Sequence, residues 1–210
     1  MWGLPFKKMV KSPAEIELIR ESSLLVSKTL AELANHIKPG VTPLFLDKLA
    51  EEFIRDHGAV PGFKGYGDFP NTLCFSINSA VVHGIPNNTV INEDDVLSID
   101  CGTIMNEFYG DQAFTFAMAG VEMEILKLLQ VTRKSLSLGI EQAIVGKRTG
   151  DIGFAIQQYC ENEHGYGVVR ELVGHGLGKS LHEDPEVPNY GRKGQGTKLL
   201  ENMVLAIEPM

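Results

Sequence analysis

Nowhere does this chain hold an apolar run approaching the roughly 20 residues that a membrane-spanning helix needs, so no transmembrane segment is expected. The opening Met1-Trp2-Gly3-Leu4-Pro5-Phe6 is too short and too broken for a secretory signal. Cysteine is scarce: Cys74, Cys101 and Cys160 are an odd number without C-x-x-C spacing, which speaks against a disulfide framework or a zinc finger and suits the reducing cytoplasm. Basic charge is short too, with 19 Lys and Arg against 27 Asp and Glu and a net charge of −8. Without a dense Lys/Arg cluster no nucleic-acid partner is expected, and Lys7-Lys8 and Arg192-Lys193 read as solvated surface. The chain also lacks a P-loop, a G-x-G-x-x-G after a clear strand, a G-x-S-x-G elbow and any Cys–His spacing suited to a thiol nucleophile. What is there is ordinary globular composition, 43% hydrophobic and 22% charged over 210 residues. That suits a soluble protein with one domain, 1–210, and a real core.

Its plan is written twice. Ser12-Pro13-Ala14-Glu15 is a capping box that opens a helix with Ile16, Ile19, Val26, Leu30, Leu33 and Ile37 on one face, up to Pro39-Gly40. Thr42-Pro43 caps a second helix that closes at His57-Gly58, followed by strand-like segments at 71–77 and 96–116. A helical stretch from Glu122 to about Leu138 then leads to Gly146, Thr149 and another amphipathic helix closing at His164-Gly165. Thr42 and Thr149 stand 107 positions apart, as do His57 and His164. The segment Glu93–Asp100 matches Glu201–Glu208 in pattern. The expectation is an α+β fold of two half-repeats, about 12–119 and 120–210, each of two helices and antiparallel strands around a shared central sheet. The second half stops at Met210, so a hairpin partner for its last strand, and a further carboxylate matching Asp111, are expected in a continuation that this sequence lacks.

Val96-Leu97-Ser98-Ile99-Asp100 alternates as a half-buried strand, and Phe108 to Phe114 can return beside it. With Met105-Asn106 as a two-residue loop, partners have numbers summing to 211, which sets Asp100 opposite Asp111 with Cβ atoms roughly 5 Å apart. Carboxylates that close repel unless a cation lies between them; the plainer reading is a solvated pair on an exposed hairpin. The repeat puts Glu208 where the first half has Asp100, a third carboxylate for the same centre. His175, inside Gly174-His175-Gly176-Leu177-Gly178, adds an imidazole and completes a mixed N/O set suited to a hydrolytic divalent metal, with Mn, Fe(II) or Co favoured over a structural zinc. Val82-His83-Gly84-Ile85-Pro86 and Leu181-His182-Glu183-Asp184-Pro185 hold a symmetric histidine pair, each three residues before a proline. These imidazoles either steer a peptide and stabilise charge on its carbonyl, or merely bond a turn. Phe63, Tyr66, Phe69 and Cys74 either line a small apolar pocket or pack as loop and core. His36, His57 and His164 fit helix C-termini, where a cation complements the dipole.

In order along the chain, Val82-His83-Gly84-Ile85-Pro86, Ser98-Ile99-Asp100, Gly110-Asp111, Gly174-His175-Gly176-Leu177-Gly178, His182-Glu183-Asp184-Pro185 and Ala206-Ile207-Glu208-Pro209-Met210 together resemble type I methionine aminopeptidase of the bacterial kind. The resemblance runs from about Ser12 to Met210. It implies the pita-bread fold and two divalent metals (Co, Mn, Fe(II) or Zn) that activate a water. The implied reaction removes the initiator methionine from new polypeptides, favouring a small second residue. Residue by residue, it implies Asp100, Asp111, His175 and Glu208 as metal ligands and Glu208 as a proton shuttle. His83 and His182 become substrate contacts near the scissile bond, Cys74 a pocket cysteine, and Phe63 and Phe69 pocket aromatics, with expanded spacing around Gly67-Asp68. The implied partners are N-terminal Met-peptides of nascent proteins, met by a monomer; contact with the ribosome is left open. Two departures stand out: the family's further metal-bridging glutamate falls beyond Met210, and Leu181 replaces a frequent aromatic. The N-terminal zinc-binding extension of some relatives and the insert of type II enzymes are both missing. Two alternatives remain, a proline-directed aminopeptidase of the same fold and a non-catalytic peptide-binding module.

Overall fold

Helix α1, Pro13–Ala34, starts at the expected capping box: the Ser12 N–H donates to Glu15 Oε2 at 2.8 Å and the Glu15 N–H to Ser12 Oγ at 3.3 Å. The computed structural model describes residues 9–210, so the reading of Met1–Phe6 and the Lys7-Lys8 pair lie outside the described residues. Helical hydrogen bonding ends at Ala34, where turn bonds from His36 and Ile37 to the Leu33 carbonyl take over before Pro39 is reached. Helix α2, Pro43–Asp56, is capped by Thr42, whose Oγ1 accepts from the Phe45 N–H at 3.2 Å. Gly58, at φ 76, turns the chain away from it.

Two compact units divide the chain: Glu17–Met123, and Glu124–Met210 with the described part of Met1–Ile16. In the first, β3 (Val96–Met105) pairs antiparallel with β1 (Val60–Pro61), β2 (Leu73–Ile77) and β4 (Phe108–Ala117). Strand alternation sends Leu97, Ile99 and Cys101 into a core with Leu25, Val26, Leu33, Leu46, Ile54 and Phe75, which leaves Asp100 on the opposite face. The second unit holds α3 (from Met123 to Ile140), α4 (Thr149–Gln157) continued by a π-helical turn Gln158–Glu163, and a small antiparallel sheet. That sheet has β5 (Gly174–Gly176) between β6 (Glu183–Val187) and β7 (Leu205–Ala206). Val131, Ile152, Ile156, Val187 and Leu199 form its core. Each unit ladders its own strands.

The helix repeat is offset by the π-helical turn. First helical residues Pro43 and Thr149 are 106 positions apart, whereas the capping residues His57 and His164 are 107 apart. The i→i+5 bonding of the turn takes up the additional residue. Thr149 is accordingly inside its helix rather than capping it, and its Oγ1 accepts from the Thr197 N–H at 3.2 Å. Among the described residues no helix is long and apolar enough to cross a membrane.

Candidate metal centre

Asp100 and Asp111 share one face of the β3–β4 hairpin, but not as direct partners. Met105 pairs with Phe108, so the loop is Asn106-Glu107, and Asp100 faces Ala113 while Asp111 faces Gly102. The expected register was wrong by one pair, an even slip that keeps both carboxylates on the same face as diagonal neighbours. Loop chemistry decides it. Both turn residues have positive φ, 51° at Asn106 and 67° at Glu107, the conformation of a type I′ hairpin, which asparagine tolerates and methionine does not favour. Asn106 carried that information, and Met105 belongs to the strand.

Cys74 stands directly opposite Asp100 on β2. Its burial, followed by the negative charge of Asp100, Asp111 and Asp47, pushes its thiol up to about 12. It is thus a neutral wall, neither nucleophile nor thiolate ligand at physiological pH. Phe63 is buried and fills the space left by the missing side chain of Gly102, where a Cβ would lie 2.4 Å from its ring. Cys74 and Phe63, two of the three expected pocket residues, therefore border the carboxylate face. Phe69, at the end of the 3₁₀ turn Tyr66–Asp68, is half-buried. His83 is exposed at φ 58 in a loop whose Gly84 exchanges hydrogen bonds with Phe75 and Ser76 of β2, so it stands one step from the strand that carries Cys74. Asp47, which sequence reasoning passed over, anchors this strand: its buried Oδ1 accepts from the N–H groups of Thr72 and Leu73 at 2.9 and 2.8 Å, and its Oδ2 from Asn71.

In the other unit His175 occupies β5. An added Cβ at Gly174 or Gly176 would meet the carbonyl oxygens of Ala206 or Asp184 at 2.2 Å, so these glycines admit the neighbouring strands rather than a ligand. The Nδ1 of His175 faces the Gly176 carbonyl at 2.8 Å, and since a carbonyl only accepts, Nδ1 carries the proton. Nε2 lies 3.3 Å from Glu208 Oε1. That oxygen is buried, and no hydrogen bond satisfies it. An imidazole nitrogen and a carboxylate oxygen this close are a donor pair suited to a divalent cation. The Glu208 backbone is held by Asn189, fully buried, whose Nδ2 donates to its carbonyl at 2.6 Å.

His182 is exposed and packs edge-to-face on His175, ring centroids 4.4 Å apart. It precedes β6, not the strand leading to Glu208, so its likeness to His83 is one of motif rather than of strand order. Leu181 beside it is buried. A cavity of about 500 Å³ joins His175 and His182 with Met9, Val173, Ser180 and Glu183 among its walls. Of the three remaining histidines, His57 and His164 do sit at helix C-termini, and His36 follows α1 beside Glu32.

The sequence profile described as "Metallopeptidase family M24" matches residues 17–210. A protein of Clostridium acetobutylicum named methionine aminopeptidase is 52% identical over 203 residues, 96% of this chain and 81% of its own. The crystal structure of methionine aminopeptidase from Rickettsia prowazekii superposes with a TM-score of 0.93 at 38% identity, over 95% of this chain and 80% of that one. That of Thermotoga maritima gives 0.92 at 39% identity, with the same coverage.

Proposed function

The chain belongs to metallopeptidase family M24, and on that premise we propose that it is a methionine aminopeptidase that removes the initiator methionine from newly made polypeptides, favouring a small second residue. Its α+β architecture is the pita-bread fold of that family. In this proposal Asp100, Asp111, His175 and Glu208 ligate two divalent cations, drawn from Co, Mn, Fe(II) or Zn. His83 and His182 contact the substrate, and Cys74, Phe63 and Phe69 line the methionine pocket. A cytoplasmic monomer acting on nascent N-termini goes with it. The observation that supports the metal is the buried Oε1 of Glu208, which no hydrogen bond satisfies, 3.3 Å from His175 Nε2.

When bound, the metals supply Lewis acidity, lowering the pKa of the attacking water and polarising the scissile carbonyl. The protein's own groups do the rest. Glu208 can take the proton of that water and hand it to the leaving amine. His182, set on the His175 ring, and His83 can donate to the substrate carbonyl as its oxygen gains charge. Cys74, held neutral, adds no competing nucleophile.

Release of free methionine from Met-Ala-Ser, measured with added Mn²⁺ or Co²⁺ and again with chelator, tests this reading. Turnover abolished by chelator is expected. Cleavage of X-Pro substrates instead would favour the proline-directed alternative, and no hydrolysis with metal lost on dialysis would favour the binding module.

A further inference from the structure

Just ahead of α1 lies a segment that the family profile does not reach, since its match begins at residue 17. The Lys11 N–H donates to the Asn202 carbonyl at 2.9 Å and Val10 bridges Met203, which ties the segment to the chain approaching β7 and Glu208. The Lys11 side chain turns the other way. Its Nζ meets Glu183 Oε2 at 2.5 Å, with side-chain exposures of only 8% and 12%. Glu183 Oε1 accepts from the Ser180 N–H at 3.0 Å, and Gly178 is so close that a Cβ there would lie 2.6 Å from both Lys11 Nζ and Glu183 Oε1. The turn from Gly178 to His182 is therefore closed over a buried ion pair whose partners are 172 positions apart.

Ion pairs of this kind add little stability over a well-packed apolar pair of the same volume, because desolvation offsets the attraction. What they can supply is a unique position. Here the residue next to Glu183 is His182, whose ring rests on His175, and Glu183, His182 and Met9 line the same cavity. We propose that Lys11 is a positioning residue: by anchoring Glu183 it fixes the turn that presents His182 to the substrate, and the segment at residues 9–11 forms a working wall of the site. The catalytic consequence rests on the aminopeptidase reading; the ordering of the turn does not.

The test is the double variant Lys11→Met with Glu183→Gln, which removes both charges together. It is compared with the unaltered protein in Met-Ala-Ser turnover with Mn²⁺, and in amide exchange at Ser180 with His182 ring resonances in the metal-free protein. A folded variant is expected to lose roughly tenfold in kcat, the scale seen when an outer support of a metal site is removed, with KM within about twofold. Its Ser180 amide should exchange faster and its His182 resonances should broaden or shift. Unchanged Ser180 exchange, or faster exchange with unchanged kcat, would overturn the proposal. If the unaltered protein itself releases no methionine, the aminopeptidase reading fails, and Ser180 exchange and the His182 resonances still decide whether Lys11 orders the turn. Should the double variant not fold, Glu183→Gln alone is measured the same way, and wild-type exchange and kcat in it would again overturn the idea.

Discussion

In the unit Glu17–Met123, Asp100 sits midway along a ten-residue strand laddered to β2 and β4, over a core of long aliphatic side chains. In the other, Glu208 lies two residues past a β7 only two residues long. The first carboxylate is placed by regular main-chain hydrogen bonding, the second by individual groups: Asn189 on its carbonyl, and the Lys11 and Val10 main chain on the residues before it. A ladder distributes the work of positioning over many bonds, so losing one changes little. Where a few individual contacts hold the backbone, each is a point of failure and of adjustment.

The largest effects should come from the proposed ligands, one taken from each unit. Asp111→Asn and His175→Ala are both expected to keep the fold and to lower Met-Ala-Ser turnover by more than about 100-fold, beyond the cost of removing an outer support. Each should lose at least one metal on dialysis, measured by elemental analysis; unchanged metal content would remove that residue from the ligand set.

Next come the supports. Asp47→Ala strands two buried N–H groups and should cost about 3 kcal/mol in urea denaturation, whereas Asn189→Ala strands one carbonyl and should cost about 1 kcal/mol. Equal costs would mean that Asp47 and Asn189 hold their backbones equally firmly.

The smallest effect is on acid stability. Hydrogen bonds from the Asn92 N–H and from Asn78 hold the Asp95 carboxyl below its ordinary value, and those from Gly194 and Arg148 do the same for Asp151. A group whose folded pKa is depressed stabilises fully above its unfolded value, about pH 4, and loses that contribution as pH falls through the folded value. Asp95→Asn and Asp151→Asn should each be less stable than the parent at pH 6, and the gap should narrow toward pH 2. A gap independent of pH would sink the assignment.

Much of this was legible in the residues. The capping box at Ser12, the Thr42 cap and the Asp100 and Asp111 strands follow from short-range patterns that the backbone must obey. The hairpin register slipped because Asn106-Glu107, not Met105-Asn106, meets the demand for positive φ, a choice readable in principle from the asparagine. Strand order was less legible, since periodicity states that a strand exists and not which strand it pairs with.

Lys11, Asp47 and Asn189 had no local mark at all. A lysine before a capping box, an aspartate within a helix and an asparagine after a strand are ordinary at those places, and only their distant partners make them special. Local sequence by itself determined the helices, the strands, the family motifs and hence the kind of chemistry, because those depend on neighbours a few residues away. Tertiary structure alone decided that Nε2 of His175 lies beside Oε1 of Glu208, and that Lys11 closes on Glu183. Such contacts join residues far apart in the chain, and burial, which makes their pairing obligatory, exists only once the chain has folded.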